Sequence, residues 1–451
     1  MKAIENFIGA VNDIVWGPPM LILIVGTGIF LTFRLAFLQF RTLPYALKLA
    51  FSPKAQDKKS PGDISHFQAL TTALAATIGI GNIAGVATAV FWGGPGAVFW
   101  MWVCALFGMA TKYAEAILAV KYRVQGKNGE FSGGPMYYIE KGLNLKWLAV
   151  LFAIFGSIAA FGIGNVVQSN EVSSVLKSTF SIPTWVTGIT LTILAGLVIL
   201  GGIKKIGKVT SYVVPFMALF YVGAGLVIIF TNLNLVPSAV NLIFTEAFTG
   251  SAIIGGGIGA AIRYGVTRGV FSNEAGLGSA PIAAAAAKTD YPGRQALVSM
   301  TQVFIDTIVV CSITGIAIVM GNLYGGDLNG ATLTSQTFEF FLGGTGSVIV
   351  AVGLAFFAFS TILGWSYYGE KCFNYLFKED RTKFYRILFV LLILVGALGS
   401  NDLIWGFADA MNAMMAVPNL IGLLGLSGVV VAETHRFLKV AKEEKAGKKA
   451  S

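Results

Sequence analysis

Two apolar stretches of this 451-residue chain carry residues that an apolar helix does not need. ATIGIGNIAG (76–85) sets Gly79, Gly81 and Gly85 beside Thr77 and Asn82, while FSNEAGLGSA (271–280) gathers Ser272, Asn273, Glu274, Gly276 and Gly278. Each lies midway along a run long enough to cross a bilayer. Glycines there let a helix unwind and release backbone N–H and C=O groups. In hydrocarbon an unpaired group costs on the order of several kcal/mol, so such a break survives only where protein buries it or where it lines a cavity. The chemistry offered is recognition of a polar solute by backbone, and two such breaks in corresponding halves of a chain mark a binding site. Ionisable residues at this depth are functional candidates as well. Glu274 and Asp306 are the deepest acids, and Arg263 and Arg268 precede the second break within its span. They read either as an outer gate, together with Asp402 or Asp409, or as a network that neutralises buried charge by joining Glu274 or Asp306 to the arginines.

The elements that position these residues are membrane helices. The chain is 55% hydrophobic and 12% charged, which excludes tandem soluble domains. Apolar runs delimited by Gly, Pro and charge give eleven spans, near 14–38, 67–91, 95–120, 147–176, 185–202, 210–231, 251–287, 295–320, 346–369, 384–400 and 402–433. Of the 32 Lys and Arg, 27 fall in alternate connections, at 41–66, 112–146, 204–208, 288–294, 371–386 and 436–449. The positive-inside rule then puts the N-terminus outside and the C-terminus inside, which an odd number of spans allows. The same distribution explains the net charge of +10 without a nucleic-acid partner. The N-terminus carries acidic residues and no basic region ahead of a short apolar core, so the first span is expected to be retained. Cys104, Cys311 and Cys372 show no paired spacing, and neither a disulfide framework nor a zinc site is expected.

The breaks fall in the second and seventh spans. Spans two to six (67–231) and seven to eleven (232–433) thus form two five-helix units, each opened by a broken helix. Five is odd, so the units have opposite orientation. The expected fold is an all-α integral membrane protein with a LeuT-type 5+5 inverted repeat. An extra N-terminal helix and loop (1–66) precede the repeats, and a basic cytoplasmic tail (434–451) follows them. Alternating access around a midplane site is the leading reading. A channel would call for a pore-lining ring or repeated filter. An enzyme would call for clustered His, Cys or carboxylates of catalytic spacing, and the sequence has neither feature.

TTALAATIGIGNIAGVATAV, GGPGAVFWMWVCALFGMATKYAEAILAVKYR, GGPMYYIEKGL and VFSNEAGLGSAPIAAAAA closely resemble the alanine/glycine:cation symporter family, within the amino acid, polyamine and organocation transporters. The likeness runs through nearly the whole chain. It implies uptake of L-alanine, D-alanine or glycine across the cell membrane, with sodium as the coupling ion, or protons in some members. No cofactor is implied, and the partners are the amino acid, the ion and membrane lipid, with a functional monomer.

An amino acid offers a carboxylate and an ammonium. The half-helix starting near Gly81 presents N–H groups and a positive dipole end for the first, assigned to Gly79, Ile80 and Gly81 with Thr77 nearby. Carbonyls around Gly269 to Ser272 and the side chain of Asn273 suit the second. The resemblance also turns the fourth span toward the substrate, with Gln168 the first candidate for contact and Asn170 the second; interhelical hydrogen bonding is the other use of such residues. Phe271, Phe161 and Trp365 are candidates to close the pocket. By resemblance, a sodium site takes the carbonyls of Ala75, Ile78 and Phe357 and the hydroxyls of Ser360 and Thr361. A second ion could use Thr77, Asn82 and Ser272. His66 and His435 lie at span ends, which favours sodium over protons, while Glu274 keeps proton coupling open.

Overall fold

The computed structural model describes residues 2–52, 59–126, 129–248, 257–377, 381–399 and 402–446. The helices are α1 (Lys2–Val15), α2 (Pro18–Arg34), α3 (Leu38–Phe51), α4 (His66–Thr77), α5 (Val86–Gly93), α6 (Gly96–Lys121) and α7 (Pro135–Leu143). They continue as α8 (Lys146–Phe161), α9 (Val167–Phe180), α10 (Thr184–Ile199), α11 (Gly202–Thr231), α12 (Val236–Glu246), α13 (Gly257–Asn273) and α14 (Pro281–Ala285). The last are α15 (Pro292–Val303), α16 (Ser312–Gly321), α17 (Gly330–Leu342), α18 (Gly344–Phe377), α19 (Thr382–Leu398), α20 (Asp402–Gly425) and α21 (Ser427–Lys445). Widened π-helical turns at Gly81–Gly85, Gly162–Val166 and Phe304–Cys311 join α5, α9 and α16 to what precedes them. A single short hairpin, Val124–Gln125 with Phe131–Ser132, is paired antiparallel among the described residues.

Among the described residues seven helical segments are long and apolar enough to cross a membrane, and His66–Thr77 with Gly81–Gly93, bent by 54° at its break, makes an eighth. The stretches expected as the fifth, seventh and tenth spans are helical over Thr184–Ile199, Gly257–Asn273 and Thr382–Leu398, each under eighteen residues. Positions 251–256 of the expected seventh span lie outside the described residues. The last expected span, 402–433, ends early: α20 stops at Gly425, and the chain turns at Leu426 into α21. The reason is composition, because SGVVVAETHRFLKVAKEEK is too charged to continue an apolar span.

The helix starts follow local rules. Ser65 caps α4, accepting from the Gln68 N–H while the Gln68 side chain accepts from the Ser65 N–H, so both orphan donors are satisfied. Pro begins α2, α7 and α15, where a missing N–H costs nothing. The core sits around α4, α6, α13, α15 and α18. Helix α6 is buried along most of its length, because small residues in GMATKYAEAILA let neighbouring helices approach closely.

One expectation about charge is corrected. Lys112 falls within a connection counted as cytoplasmic, yet it is buried in α6, as is Glu115 one turn on. The apolar run continues past Lys112 to Val120, and an i,i+3 partner of opposite sign lets the lysine stay inside it.

Candidate functional site

The first break starts where Ile78 leaves helical geometry at ψ 88°. The Gly79 N–H is taken by Asn82 Oδ1 at 2.9 Å, so of the three N–H groups expected to be bare, this one is capped from within. Among the described residues, the N–H groups of Ile80 and Gly81 meet no backbone acceptor outside their own turn. They form the positive end of the half-helix running to Gly93.

The second break faces it. A Cβ on Gly81 would lie 3.3 Å from both Phe271 Cδ1 and Ser272 Cα, so the C-terminal end of α13 meets the N-terminal end of the other half-helix. At that end Ala275 N–H is diverted to Asn273 Oδ1 and Gly276 N–H to Glu115 Oε1. The Ser272 carbonyl therefore loses the donor a continuing helix would give it. A positive and a negative helix end, one van der Waals contact apart, can hold the two charges of a zwitterion.

Asp306 occupies the centre, in the widened turn before α16, and is fully buried. Its carboxylate accepts from Asn82 Nδ2 at 2.7 Å, from Ser272 Oγ at 2.8 Å and from Thr307 Oγ1 at 2.8 Å. Asn273 Nδ2 donates to Thr307 Oγ1 at 3.1 Å. One carboxylate thus binds both breaks, accepting from a side chain of each and from its own neighbour Thr307. The structure brings Asn82 and Ser272 of the expected second ion site together on it. Thr77 turns away, donating to Ala73 O at 3.1 Å and accepting from Gln302 Nε2 at 3.2 Å.

On the other side of the first break stands α18. Ser360 Oγ donates to Ala75 O at 3.2 Å and Phe357 O at 2.8 Å, and Thr361 Oγ1 to Phe357 O at 3.0 Å. Four of the five expected cation ligands therefore share one spot, directly after which Ile78 unwinds. Gly79 packs on it so closely that a Cβ there would sit 2.5 Å from Thr361 Oγ1 and 3.6 Å from Gln168 Oε1. Gln168 donates to Ile163 O at 3.1 Å, which leaves its buried Oε1 without a partner beside the break. Trp365 follows one turn after Thr361, buried against Gly164, whose missing side chain makes room for it, and faces the Glu274 carboxyl.

Other expected residues lie elsewhere. Asn170 donates to Gly396 O at 3.1 Å and Gly399 O at 2.6 Å, tying α9 to the end of α19. Phe161 packs its ring at a tilt against Tyr385 and Phe389 of α19. The network that would join Glu274 or Asp306 to the arginines does not form. Arg263 pairs with Asp13 of α1 at 2.8 Å, and Arg268 lies over the Phe271 ring, 5.6 Å from its centre. Arg268 and Phe271 line a cavity of about 480 Å³ outside the first break, shared with Ile80, Thr88, Glu171 and Ser174. Asp409 lines a neighbouring pocket with Arg268, and the side chain of Asp402 lies outside what is described.

The cation beside Glu274 is Lys112, which the sequence reading missed. Its Nζ donates to Glu274 O at 3.0 Å and lies 3.8 Å from Glu115. Glu115 Oε1 also accepts from Asn419 Nδ2 at 2.7 Å, and Asn419 donates to Gly276 O at 2.8 Å and accepts from the Tyr138 hydroxyl. Ser279 Oγ closes onto Glu274 Oε2. The second break is thus stapled by α6 and α20, its residues 274–280 engaged by protein. Gly278, at φ 84°, is obligatory there, since a Cβ would strike Pro135 and Asn419. The available signal was a Lys and a Glu three apart inside an apolar, alanine-rich helix.

The backbone is similar to that of MhsT, solved in complex with L-phenylalanine. The TM-score is 0.60 over 83% of this chain and 92% of that one at 15% identity, which establishes the LeuT-type fold and nothing finer. Along its sequence the chain is 60% identical to the sodium/alanine symporter AgcS of Methanococcus maripaludis, covering 97% of this chain and 98% of that protein. It is 38% identical to the probable sodium/glutamine symporter GlnT of Bacillus subtilis, covering 99% and 93%. The sodium:alanine symporter family model matches residues 1–451, and this multi-pass membrane protein, with two helix breaks meeting on a buried carboxylate, belongs to that family.

Proposed function

We propose that the protein carries small amino acids, L-alanine, D-alanine and glycine, into the cell together with sodium by alternating access. The observation that carries this reading is the pair of opposed helix ends, Ile80–Gly81 N–H against Ser272 C=O, with a cluster of neutral oxygens one turn away. The substrate carboxylate lies at the first end and its ammonium at the second, where Gln168 Oε1 supplies one more acceptor. Phe271 and Trp365 bound the space left for a side chain. The relative named for glutamine and the one named for alanine suggest that walls, more than the backbone cradle, set the choice of substrate.

Sodium sits among Ala75, Ile78, Phe357, Ser360 and Thr361, a set of uncharged oxygens suited to a monovalent ion. A second ion sits at Asp306 with Asn82 and Ser272. Eleven spans, the N-terminus outside, the C-terminus inside and a functional monomer complete the reading. Neutral oxygens next to the break support sodium as the coupling ion. The buried Lys112–Glu115–Glu274 cluster supports the second reading, coupling to protons.

Uptake of labelled alanine into vesicles holding the purified protein tests both. An inward sodium gradient should drive accumulation at constant pH, and a proton gradient without sodium should not. Accumulation driven by the proton gradient alone would establish the second reading, and uptake indifferent to every ion gradient and to voltage would remove symport altogether.

A further inference from the structure

The helices α3 and α21 enclose a second polar cavity, remote from the breaks. It measures about 520 Å³ and is lined by Arg41, Thr42 and Tyr45 of α3 and by His435, Lys439 and Lys442 of α21. Among the described residues, neither Arg41 nor either lysine comes within ion-pair distance of a carboxylate. Arg41 makes one hydrogen bond, to Leu35 O at 3.3 Å. Asp290 and Glu444 both grip Arg294, at 2.7 Å and 2.6 Å, and Glu433 binds Lys121 at 2.6 Å; Glu443, beside Lys442 on α21, is in no ion pair among the described residues. Three exposed cations around one cavity repel each other, and an anion between them would relieve that.

The surroundings say which anion. With 14 residues, about 21 Å of helix, α3 is too short to span a bilayer. One face, with Leu38, Ala46, Leu49 and Ala50, is buried against the bundle, while Phe37, Phe40 and Phe51 at and around it are exposed. That pattern belongs to a helix seated at the membrane boundary with aromatic rings in the acyl region. Leu438 and Ala441 add an apolar wall to the same cavity. A free inorganic anion would use the cations and leave the apolar parts idle; a phospholipid uses both.

We infer that the cleft between α3 and α21 binds the headgroup of an anionic phospholipid, its phosphate among Arg41, Lys439 and Lys442 and its acyl chains beside the phenylalanines of α3. Both helices pack on α15, whose continuation carries Asp306, so a lipid bridging them braces the element that holds the centre of the site.

Thermal unfolding of the full-length protein in detergent tests this, with phosphatidylglycerol, phosphatidylcholine or sodium phosphate added. Phosphatidylglycerol should stabilise at concentrations roughly tenfold or more below phosphatidylcholine, as expected for several basic contacts to an anionic lipid. The variant Arg41→Gln/Lys439→Gln/Lys442→Gln should lose that preference, and Lys204→Gln/Lys205→Gln/Lys208→Gln, on exposed α11, should keep it. Equal stabilisation by both lipids, retention of the preference in the first variant, or its equal loss in the second would overturn the inference. So would inorganic phosphate reproducing the shift at equal phosphorus. Should the first variant not fold, the single variants Lys439→Gln and Lys442→Gln and native mass spectrometry of the wild type decide it; failure to retain phosphatidylglycerol over phosphatidylcholine is then the negative result. None of these readouts depends on transport.

Discussion

A methyl group on Gly79 would sit 2.5 Å from the Thr361 hydroxyl, so Gly79→Ala must push the first break away from α18, an overpacking cost of roughly 1–3 kcal/mol. The expected result is loss of sodium-driven alanine uptake in a protein that still inserts and folds, with partial return in Gly79→Ala/Thr361→Ala. Unchanged uptake in the single variant would mean that the break and α18 do not work as one site. Asp306 carries a different burden, since a donor from each break and one from its neighbour Thr307 converge on it. Asp306→Asn removes the charge and turns one oxygen into a donor, facing donors already in place. Half-saturating sodium should rise by roughly tenfold or more, the worth of a lost charge-assisted contact. Ser360→Ala and Thr361→Ala should shift sodium dependence more than alanine affinity, and Gln168→Ala the reverse. Identical sodium curves for all four variants would dismiss the assignment of ion ligands.

At the scale of elements, the two broken helices solve one problem in two ways. The first leaves N–H groups of Ile80 and Gly81 unclaimed by backbone, whereas the second is engaged by Lys112, Glu115, Asn419 and Ser279. Asn419→Ala would strip donors from Gly276 O and Glu115 at once and leave both buried, a loss of about 1–3 kcal/mol for each such group. A lower unfolding temperature in detergent, with alanine affinity changed little in the protein that remains folded, is the expected outcome; a large change in affinity at unaltered stability would make Asn419 part of the binding surface. The ends of the broken helices farther from their contact are also tied to each other. Asp63 and Ile64 N–H donate to Ala286 O, Lys288 N–H donates to Ile64 O at 2.8 Å, and Arg123 donates to Ala285 O and Ala287 O at 3.0 and 2.7 Å. These links join the two helices beyond their breaks, and in the alternating access proposed above they would move together.

For the whole molecule, the cavity bounded by Ile80, Phe271 and Arg268 adjoins the breaks, and on the function proposed above it would be the substrate's approach. A cysteine at Thr88, on its wall, should react with a membrane-impermeant thiol reagent and be protected when sodium and alanine are present together. Protection by either one alone would argue against coupled closure. The native cysteines, Cys104, Cys311 and Cys372, are buried and give a low background.

Much of this was legible in the residues. Apolar length and glycine placement fixed the broken helices, because hydrocarbon tolerates unwound backbone only at a site or inside protein. The placing of Ser360 and Thr361 on one helix, joined to a family likeness, named a hydroxyl pair that the fold does set against the first broken helix, Ser360 at Ala75 O and Thr361 beside Gly79. Tertiary structure alone decided the partners. Asp306 reads in sequence as one more buried acid, and nothing local says that it lies 224 residues from its donor Asn82 yet 2.7 Å away. Lys112 was hidden for a related reason, since its sequence neighbours place it near a basic loop while its charge is answered by Glu115 and by a carbonyl 162 residues on. Asn170 and Gln168, two positions apart, look equivalent until helix packing turns one toward α19 and the other toward Gly79. Sequence dictates which groups must find a partner, because the cost of burying them unpaired is local. Which partner each one finds depends on helices packed from distant parts of the chain.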